Sequence, residues 1–94
     1  MIDIHTFRLR PGVSDEAFRA ADTRVQQEFV PNLDGFVRRT TARDDDGRWV
    51  VVSLWGSREE LAAADARAED DTIVGGFLAL IEDERRERFE ELPG

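Results

Sequence analysis

The sequence predicts an α+β domain of the ferredoxin-like type, in which an antiparallel four-stranded sheet carries its helices on one face. Three observations predict this fold. Polar and apolar residues alternate at the start of the chain, and two more alternating segments flank a tight turn in its middle. Before and after this central pair, apolar residues recur at helical spacing. The resulting order is β, α, β, β, α, β. Because 94 residues suffice for one hydrophobic core only, we expect a single domain over residues 1–94.

The first strand is predicted over residues 2–10, because polar and apolar positions alternate there until a Pro-Gly pair ends the segment. Ser14 then has the position of a helix N-cap, and the acidic residues after it suit the first turn of a helix. Pro31 cannot continue this helix, so the chain turns over residues 32–35. The apolar stripe of the helix consists of Phe18, Ala21, Val25 and Phe29.

A β-hairpin is predicted in the middle of the chain, with strands over residues 36–43 and 48–55 around a turn at 44–47. The second of these strands is largely apolar on both faces. One face therefore meets the helices, and a second copy of the chain is the economical cover for the other, which predicts a homodimer. The two faces consist of Trp49, Val51, Ser53 and Trp55 on one side and of Val50, Val52 and Leu54 on the other.

Two helical segments and a last strand are predicted after the hairpin. Residues 57–60, Ser-Arg-Glu-Glu, match a capping box that opens a helix ending near Asp70. Residues 72–81 form a further helical segment, whose apolar side includes Ile81. Alternation over residues 85–92 indicates a short polar strand, and a charged helix is an open alternative.

Composition argues against several kinds of partner and site. The formal net charge is −8, from 21 acidic and 13 basic side chains, so the protein repels nucleic acid and anionic membranes at long range. With no cysteine and one histidine, the chain lacks a Cys/His metal cluster. We find no segment suited to a signal peptide or membrane span and expect a cytoplasmic protein. The acidic run at 44–47 is interpreted as a turn, because Ala42 and Ser53 would occupy calcium-ligand positions that require carboxylates.

Three positions are candidates for chemistry, each with a structural alternative. His5 shares a strand face with Phe7 and could act as a general base near neutral pH, or could be a half-buried histidine with a polar partner. Trp55 could form one wall of a cleft beside His5, or could fill the core. Arg38, next to Arg39, could bind a carboxylate or phenolate, or one of the pair could form an ion pair with an acidic side chain.

Nearly the whole chain resembles the dimeric α/β-barrel superfamily, and within it the antibiotic-biosynthesis-monooxygenase-like domains. The similar stretches are FRLRPGVSDEAF, LDGFVRRTTARDDDGRWVVVSLWGSREEL and the polar last strand. A Gly-Phe pair opens the second strand and a W-x-S-x-E motif leaves the third, as in many members of that family. The resemblance implies that two chains pair into a dimeric α/β barrel.

The same resemblance implies a function. In the cofactor-free oxygenases of this family, an asparagine on the first strand and a tryptophan ending the third line a cleft between helices and sheet. Trp55 has the position of that tryptophan, whereas His5 stands where the asparagine is expected. The haem-degrading branch needs a histidine near Asp65, which this chain lacks. The resemblance thus implies a cofactor-independent monooxygenase that deprotonates a small aromatic or polyketide-type substrate, which then reacts with oxygen without flavin or metal.

The predicted site follows from this resemblance. His5 as the base and Trp55 as a wall for an aromatic ligand are the expected catalytic residues, with no cofactor and no metal. The residues expected to contact the substrate are Phe7, Phe18, Phe36, Arg38, Val51 and Phe77. Three alternatives are an isomerase or cyclase acting through a single base, a non-catalytic module that binds a small apolar or aromatic molecule, and a structural dimer whose cleft is filled by its own side chains.

Overall fold

A computed structural model describes residues 1–93, so the predicted domain boundary at residue 94 lies outside the described residues. Four strands form one antiparallel sheet in the order β2-β3-β1-β4, with the helices on one face. This arrangement confirms the α+β, ferredoxin-like fold. The elements are β1 (Ile2–Leu9), α1 (Asp15–Arg24), a π-helical turn (Val25–Phe29), a 3₁₀ turn (Val30–Asn32), β2 (Phe36–Arg43), β3 (Arg48–Trp55), α2 (Arg58–Ala68), α3 (Thr72–Leu78) and β4 (Ile81–Phe89).

Strand β1 lies between β3 and β4, so its register decides which side chains share a face of the sheet. His5 is opposite Val51 on β3 and Arg86 on β4, and Asp3 is opposite Ser53. This face meets the helices, and four of these five residues are buried there, Arg86 being the exception. The other face is open. Its half-buried apolar side chains include Ile2, Ile4, Val50, Val52 and Leu54.

The central hairpin has the predicted bounds and the predicted turn. One carboxylate oxygen of Asp44 accepts hydrogen bonds from the backbone N–H groups of Asp46 and Arg48, each at 2.9 Å. The Asp44 side chain therefore closes the turn, which agrees with the interpretation of the acidic run as a hairpin turn.

The helix after β1 has the predicted cap and the predicted apolar stripe. Ser14 Oγ accepts a hydrogen bond from the backbone N–H of Ala17 at 3.0 Å. The helix continues as the π-helical turn, in which Val25 and Phe29 are buried, and ends in the 3₁₀ turn that contains Pro31. Neither this helix nor any other in residues 1–93 is long and apolar enough to cross a membrane.

The C-terminal third departs from the prediction at its element boundaries. Helix α2 ends at Ala68 instead of near Asp70, and α3 ends at Leu78. Ile81 was expected on α3, but it is the first residue of β4, pairs with the end of β1 and is fully buried. The strand interpretation of the tail is confirmed, whereas its predicted start at Arg85 and the charged-helix alternative are wrong.

An aromatic cluster fills the half of the interior that lies nearest the hairpin turn. The ring centroid of Phe18 is 4.6 Å from that of Trp49 and 5.3 Å from that of Phe77. The Phe7 ring lies 5.6 Å from Phe18 and 5.7 Å from Phe77. Trp49 is only 5% exposed and belongs to this core cluster.

Candidate functional site

A cavity of about 100 Å³ lies between the sheet and the helices, at the end of the sheet away from the hairpin turn. Strand residues line one side of it, and the π-helical turn, α2 and α3 line the other. The apolar lining includes Val25, Phe29, Val30, Val51, Trp55, Leu61, Val74 and Phe77. The polar lining consists of Asp3, His5, Arg39, Ser53, Asp65 and Arg86.

The structure brings half of the predicted site residues to this cavity. Those that line it are His5, Val51, Trp55 and Phe77. Phe7 and Phe18 belong to the aromatic cluster instead. The ring of Phe36 packs edge-on against that of Trp55, with centroids 5.5 Å apart, and does not line the cavity. Arg38 pairs with Leu54 on the open face of the sheet and is exposed.

His5 is held by a hydrogen bond at one ring nitrogen and is open at the other. The residue is 4% exposed, and its Nε2 lies 2.9 Å from Oε1 of Glu84 on β4. No group among residues 1–93 forms a hydrogen bond with Nδ1, yet no buried side-chain nitrogen or oxygen in that range lacks a partner. Nδ1 is therefore not fully buried, and His5 is one of the residues that line the cavity.

The surroundings of His5 favour its neutral form. Burial, followed by the positive charge of Arg86, lowers the pKa of His5 below its ordinary value of 6.5. The hydrogen bond with Glu84 and the charges of Glu84 and Asp3 oppose this change without cancelling it. The neutral form of the imidazole therefore predominates at pH 7. A neutral imidazole that donates from one nitrogen can accept a proton at the other.

Trp55 presents an apolar surface to the cavity. Its indole N–H donates a hydrogen bond to Ser53 Oγ at 3.0 Å, and the residue is 7% exposed. Because this donor is already satisfied within β3, the ring has no remaining polar group for a ligand. Trp55 can therefore supply a flat contact surface and no hydrogen bond.

Arg39 occupies the place in the cavity that was expected for Arg38. A register shift between Phe36 and Arg38 inserts Val37 as an extra residue in β2, which moves Arg38 to the open face and Arg39 to the helix side. The Arg39 guanidinium donates to Asp22 on α1 at 2.7 Å. Its charge is thus already compensated, which matches the ion-pair alternative considered for this arginine pair.

A charged network on the β1–β4 side of the cavity was not predicted. Arg88 donates to Asp3 at 2.8 Å and to both carboxylate oxygens of Asp65 at 2.7 and 3.0 Å. These hydrogen bonds, that with Asp65 first, raise the pKa of Arg88 far above its ordinary value. Arg86 is 3.7 Å from Asp65. Arg86 and Arg88 are two residues apart, so they share one face of the last strand, and this spacing was the available signal for the network. Their acidic partners lie on other elements, so the pairing could not be predicted.

The arrangement joins a neutral base to an apolar space. A ligand in the cavity would meet both His5 and Trp55, which line it from neighbouring strands of the sheet. Within the described range 1–93, no three acidic or histidine side chains are grouped so that they could hold a metal ion. The chemistry that these residues can offer by themselves is desolvation, orientation and proton transfer.

Comparison with known proteins gives structural matches only. No known protein-family pattern and no curated protein sequence matches the chain. SnoaB, a cofactor-independent oxygenase from Streptomyces nogalater, superposes with a TM-score of 0.77 at 18% identity, over 97% of this chain and 93% of SnoaB. The chain has the fold of this oxygenase.

Two further solved structures have the same fold. A candidate antibiotic biosynthesis monooxygenase from Nitrosomonas europaea has a TM-score of 0.76 at 21% identity, over 97% of this chain and 88% of that protein. A second candidate of this kind, from Caulobacter crescentus CB15, has a TM-score of 0.78 at 12% identity, over 98% of this chain and 89% of that protein. At these identities the likeness concerns the architecture, and the site must be argued from its own residues.

Proposed function

We propose that the protein is a cofactor-independent monooxygenase acting on a small aromatic or polyketide-type substrate in the cavity between helices and sheet. The observation that carries this proposal is His5, a neutral imidazole with one accessible nitrogen beside an apolar cavity. The fold shared with a cofactor-independent oxygenase supports it. His5 acts as the base, and Trp55 is the wall against which the ring of the substrate lies.

The proposed reaction needs one base and a substrate that can be oxidised. His5 Nδ1 takes the proton of a ring hydroxyl, and the resulting anion carries electron density on a ring carbon. That carbon passes electrons to dioxygen and forms a C–O bond, and the imidazolium returns its proton to the peroxide. Loss of water then breaks the O–O bond. The net change converts a ring C–H group, a ring C–OH group and O₂ into two C=O groups and H₂O, with the substrate supplying all the electrons.

The size of the cavity favours the small end of this substrate range. An apolar protein cavity of ~150 Å³ accepts benzene, and the cavity here is about 100 Å³. This volume leaves room for one ring at most, and the partly exposed side chains of Arg86 and Asp65 would have to move aside to admit it. We propose single-ring hydroquinones as the first substrates to test.

A second copy of the chain is the partner that we propose for the open face. The half-buried apolar side chains on that face form a continuous strip across β1 and β3, and Phe89 at its edge is 48% exposed. A small domain gains stability when such a strip is covered. Covering it with an identical sheet would leave the cavity, which is on the opposite face, open to substrate.

The experiment that tests the proposed function is oxygen uptake by the purified protein with hydroquinone. We expect His5→Gln to lower kcat roughly 100- to 10,000-fold, because general-base catalysis contributes that much. Thr6→Ala, a change on the same strand but on the open face, is the matched control and should leave kcat unchanged. Labelled O₂ should place one oxygen atom in the product and one in water.

Two outcomes would overturn this proposal in different ways. Uptake by the wild-type protein no faster than the autoxidation of hydroquinone in buffer, together with tight binding of the ring, would indicate a non-catalytic binding module. Turnover that survives His5→Gln would remove His5 from the mechanism. Quenching of Trp55 fluorescence measures binding separately from turnover, with Trp49→Phe as the background that isolates the Trp55 signal.

A further inference from the structure

Strand β4 contains one extra residue opposite Phe7, two positions along β1 from His5. Arg8 pairs with Glu82 and Thr6 with Arg85, so two residues of β4 stand opposite Phe7 alone. The first of them, Asp83, has φ = 54°, which is uncommon for a residue other than glycine. This is a β-bulge, a device that redirects side chains and recurs next to active sites.

The bulge decides which side of the sheet Glu84 occupies. Beyond the bulge, His5 is opposite Arg86 and Asp3 is opposite Arg88, so even-numbered residues of β4 face the helices. Without the extra residue, Glu84 would stand opposite Thr6 on the open face. The insertion therefore brings the Glu84 carboxylate to the helix side, where its Oε1 lies 2.9 Å from His5 Nε2.

This hydrogen bond selects a tautomer of the imidazole. An ionised carboxylate can only accept, so Nε2 must carry the hydrogen. In the neutral ring Nδ1 then has a free lone pair, and Nδ1 is the nitrogen that no residue of the described chain engages. Glu84 is thus placed to hold the ring in the form that can accept a proton from the cavity.

We infer that Glu84 is a positioning residue that acts through His5, fixing the Nε2–H tautomer so that Nδ1 is the base. The inference rests on the proposed function for its catalytic meaning, but the tautomer and its cause are properties of the free protein. Glu84 is not among the residues that line the cavity, so it is not placed to contact a ligand there. Its side chain is 46% exposed, and that of its partner is 5% exposed.

The charged groups around the ring determine in which direction the pKa of His5 moves when Glu84 is replaced. Arg86 faces His5 from β4, Asp3 from its own strand, Arg39 from β2, and Asp65 from α2. Burial and Arg86 lower the pKa of His5, whereas Glu84 and Asp3 raise it. Removal of the Glu84 carboxylate must therefore lower the pKa of His5 further, which makes Nδ1 a weaker base.

The experiment is an NMR titration, for which this chain is well suited because it has a single histidine. In the wild-type protein, ¹⁵N shifts of the ring should show hydrogen on Nε2 and none on Nδ1 at neutral pH. Glu84→Ala should shift the His5 pKa downward and remove the preference for that tautomer. Glu84→Gln, which keeps an acceptor oxygen but loses the charge, should keep the tautomer and still shift the pKa downward.

Glu87→Gln is the matched control, because Glu87 is on the same strand but opposite Ile4 on the open face. It should leave both the tautomer and the pKa of His5 unchanged. If Glu84→Ala keeps the wild-type tautomer and pKa, the inference is overturned, because the Glu84 carboxylate would then have no effect on the imidazole ring. The titration uses no substrate, so failure to detect oxygen uptake would overturn the proposed function and leave this result standing.

With hydroquinone as substrate, kinetic measurements test whether Glu84 acts through His5. Glu84→Ala should lower kcat, leave KM unchanged and move the acidic limb of the pH–rate profile to lower pH. A loss of kcat with the acidic limb in its wild-type position would contradict the inference.

Discussion

At the scale of single residues, His5 links the stability of the fold to pH. Its pKa in the folded protein lies below 6.5, because burial and Arg86 disfavour the imidazolium. Between 6.5 and that lower pKa, the unfolded chain binds a proton at His5 and the folded chain does not. Stability therefore rises with pH across this window, and the contribution of neutral His5 is complete above it.

We predict that the free energy of unfolding of the wild-type protein decreases as pH falls below about 6.5, where the unfolded histidine begins to protonate. Urea denaturation at fixed ionic strength between about pH 5 and pH 8 measures this slope. His5→Gln removes the titrating group, so the difference between the two curves isolates its contribution. A difference that does not change with pH would contradict the lowered pKa.

The residue scale also shows where prediction from sequence succeeds and fails. Strict alternation placed His5 and Trp55 on the helix side, because β1 and β3 are regular over these positions. It failed for Arg38, because after the extra residue Val37 each residue of β2 faces the side of the sheet opposite to the one that alternation predicts. One extra residue cannot be recognised in a run of residues that all favour strands. The position of Glu84 could not be predicted either, because its side of the sheet also depends on a bulge.

At the scale of secondary-structure elements, local capping chemistry was predictable and strand ends were not. Ser14 and Ser57 cap their helices as expected, because each cap depends only on a hydrogen bond to the first turn of the helix that follows it. The start of β4 was missed because the bulge at Asp83 interrupts the two-residue period between Ile81 and the alternating tail. Pairing with β1, a long-range contact, extends the strand across this irregularity.

The loop before β2 contains a glycine, Gly35, that is in close contact with the start of α2. Gly35 has φ = 79°, its carbonyl accepts the Gly56 N–H at 2.7 Å, and a Cβ on Gly35 would overlap the Glu60 carboxylate. Glu60 Oε1 in turn accepts a hydrogen bond from Ser57 Oγ at 3.0 Å. A side chain at Gly35 would therefore disturb both the turn and the cap of α2.

We predict that Gly35→Ala destabilises the protein by more than Gly12→Ala does. Gly12 has φ = 88° with no atom near its missing Cβ, so Gly12→Ala reports the left-handed backbone cost of roughly 1–2 kcal/mol alone. Gly35→Ala adds the loss of the Ser57–Glu60 contact, about 1 kcal/mol more. Thermal unfolding of the two variants gives the comparison, and equal losses would show that Glu60 moves aside freely.

At the scale of the whole molecule, the open sheet face is the feature from which a homodimer is predicted. Val52 is in the middle of that face, between Ile4 on β1 and Thr40 on β2. We predict that Val52→Glu raises the dimer dissociation constant at least about 100-fold, because an unpaired charge buried in an interface costs several kcal/mol. Sedimentation velocity measures the change.

Ala66→Glu is the control for this prediction, since Ala66 is an exposed residue on α2. It should sediment as the wild-type protein does. A wild-type protein that stays monomeric at all concentrations would contradict the proposed dimer, and so would a Val52→Glu variant that dimerises normally.

The strand order has a further consequence, for aggregation. The segment Val50–Trp55 combines β-branched and aromatic residues with no charge, which is the composition of segments that form cross-β fibrils. In the order β2-β3-β1-β4 this segment is an inner strand, and both outer strands are rich in arginine. Charged outer strands discourage the addition of a foreign strand. The sheet thus keeps its most fibril-prone sequence between two strands that resist edge-to-edge growth.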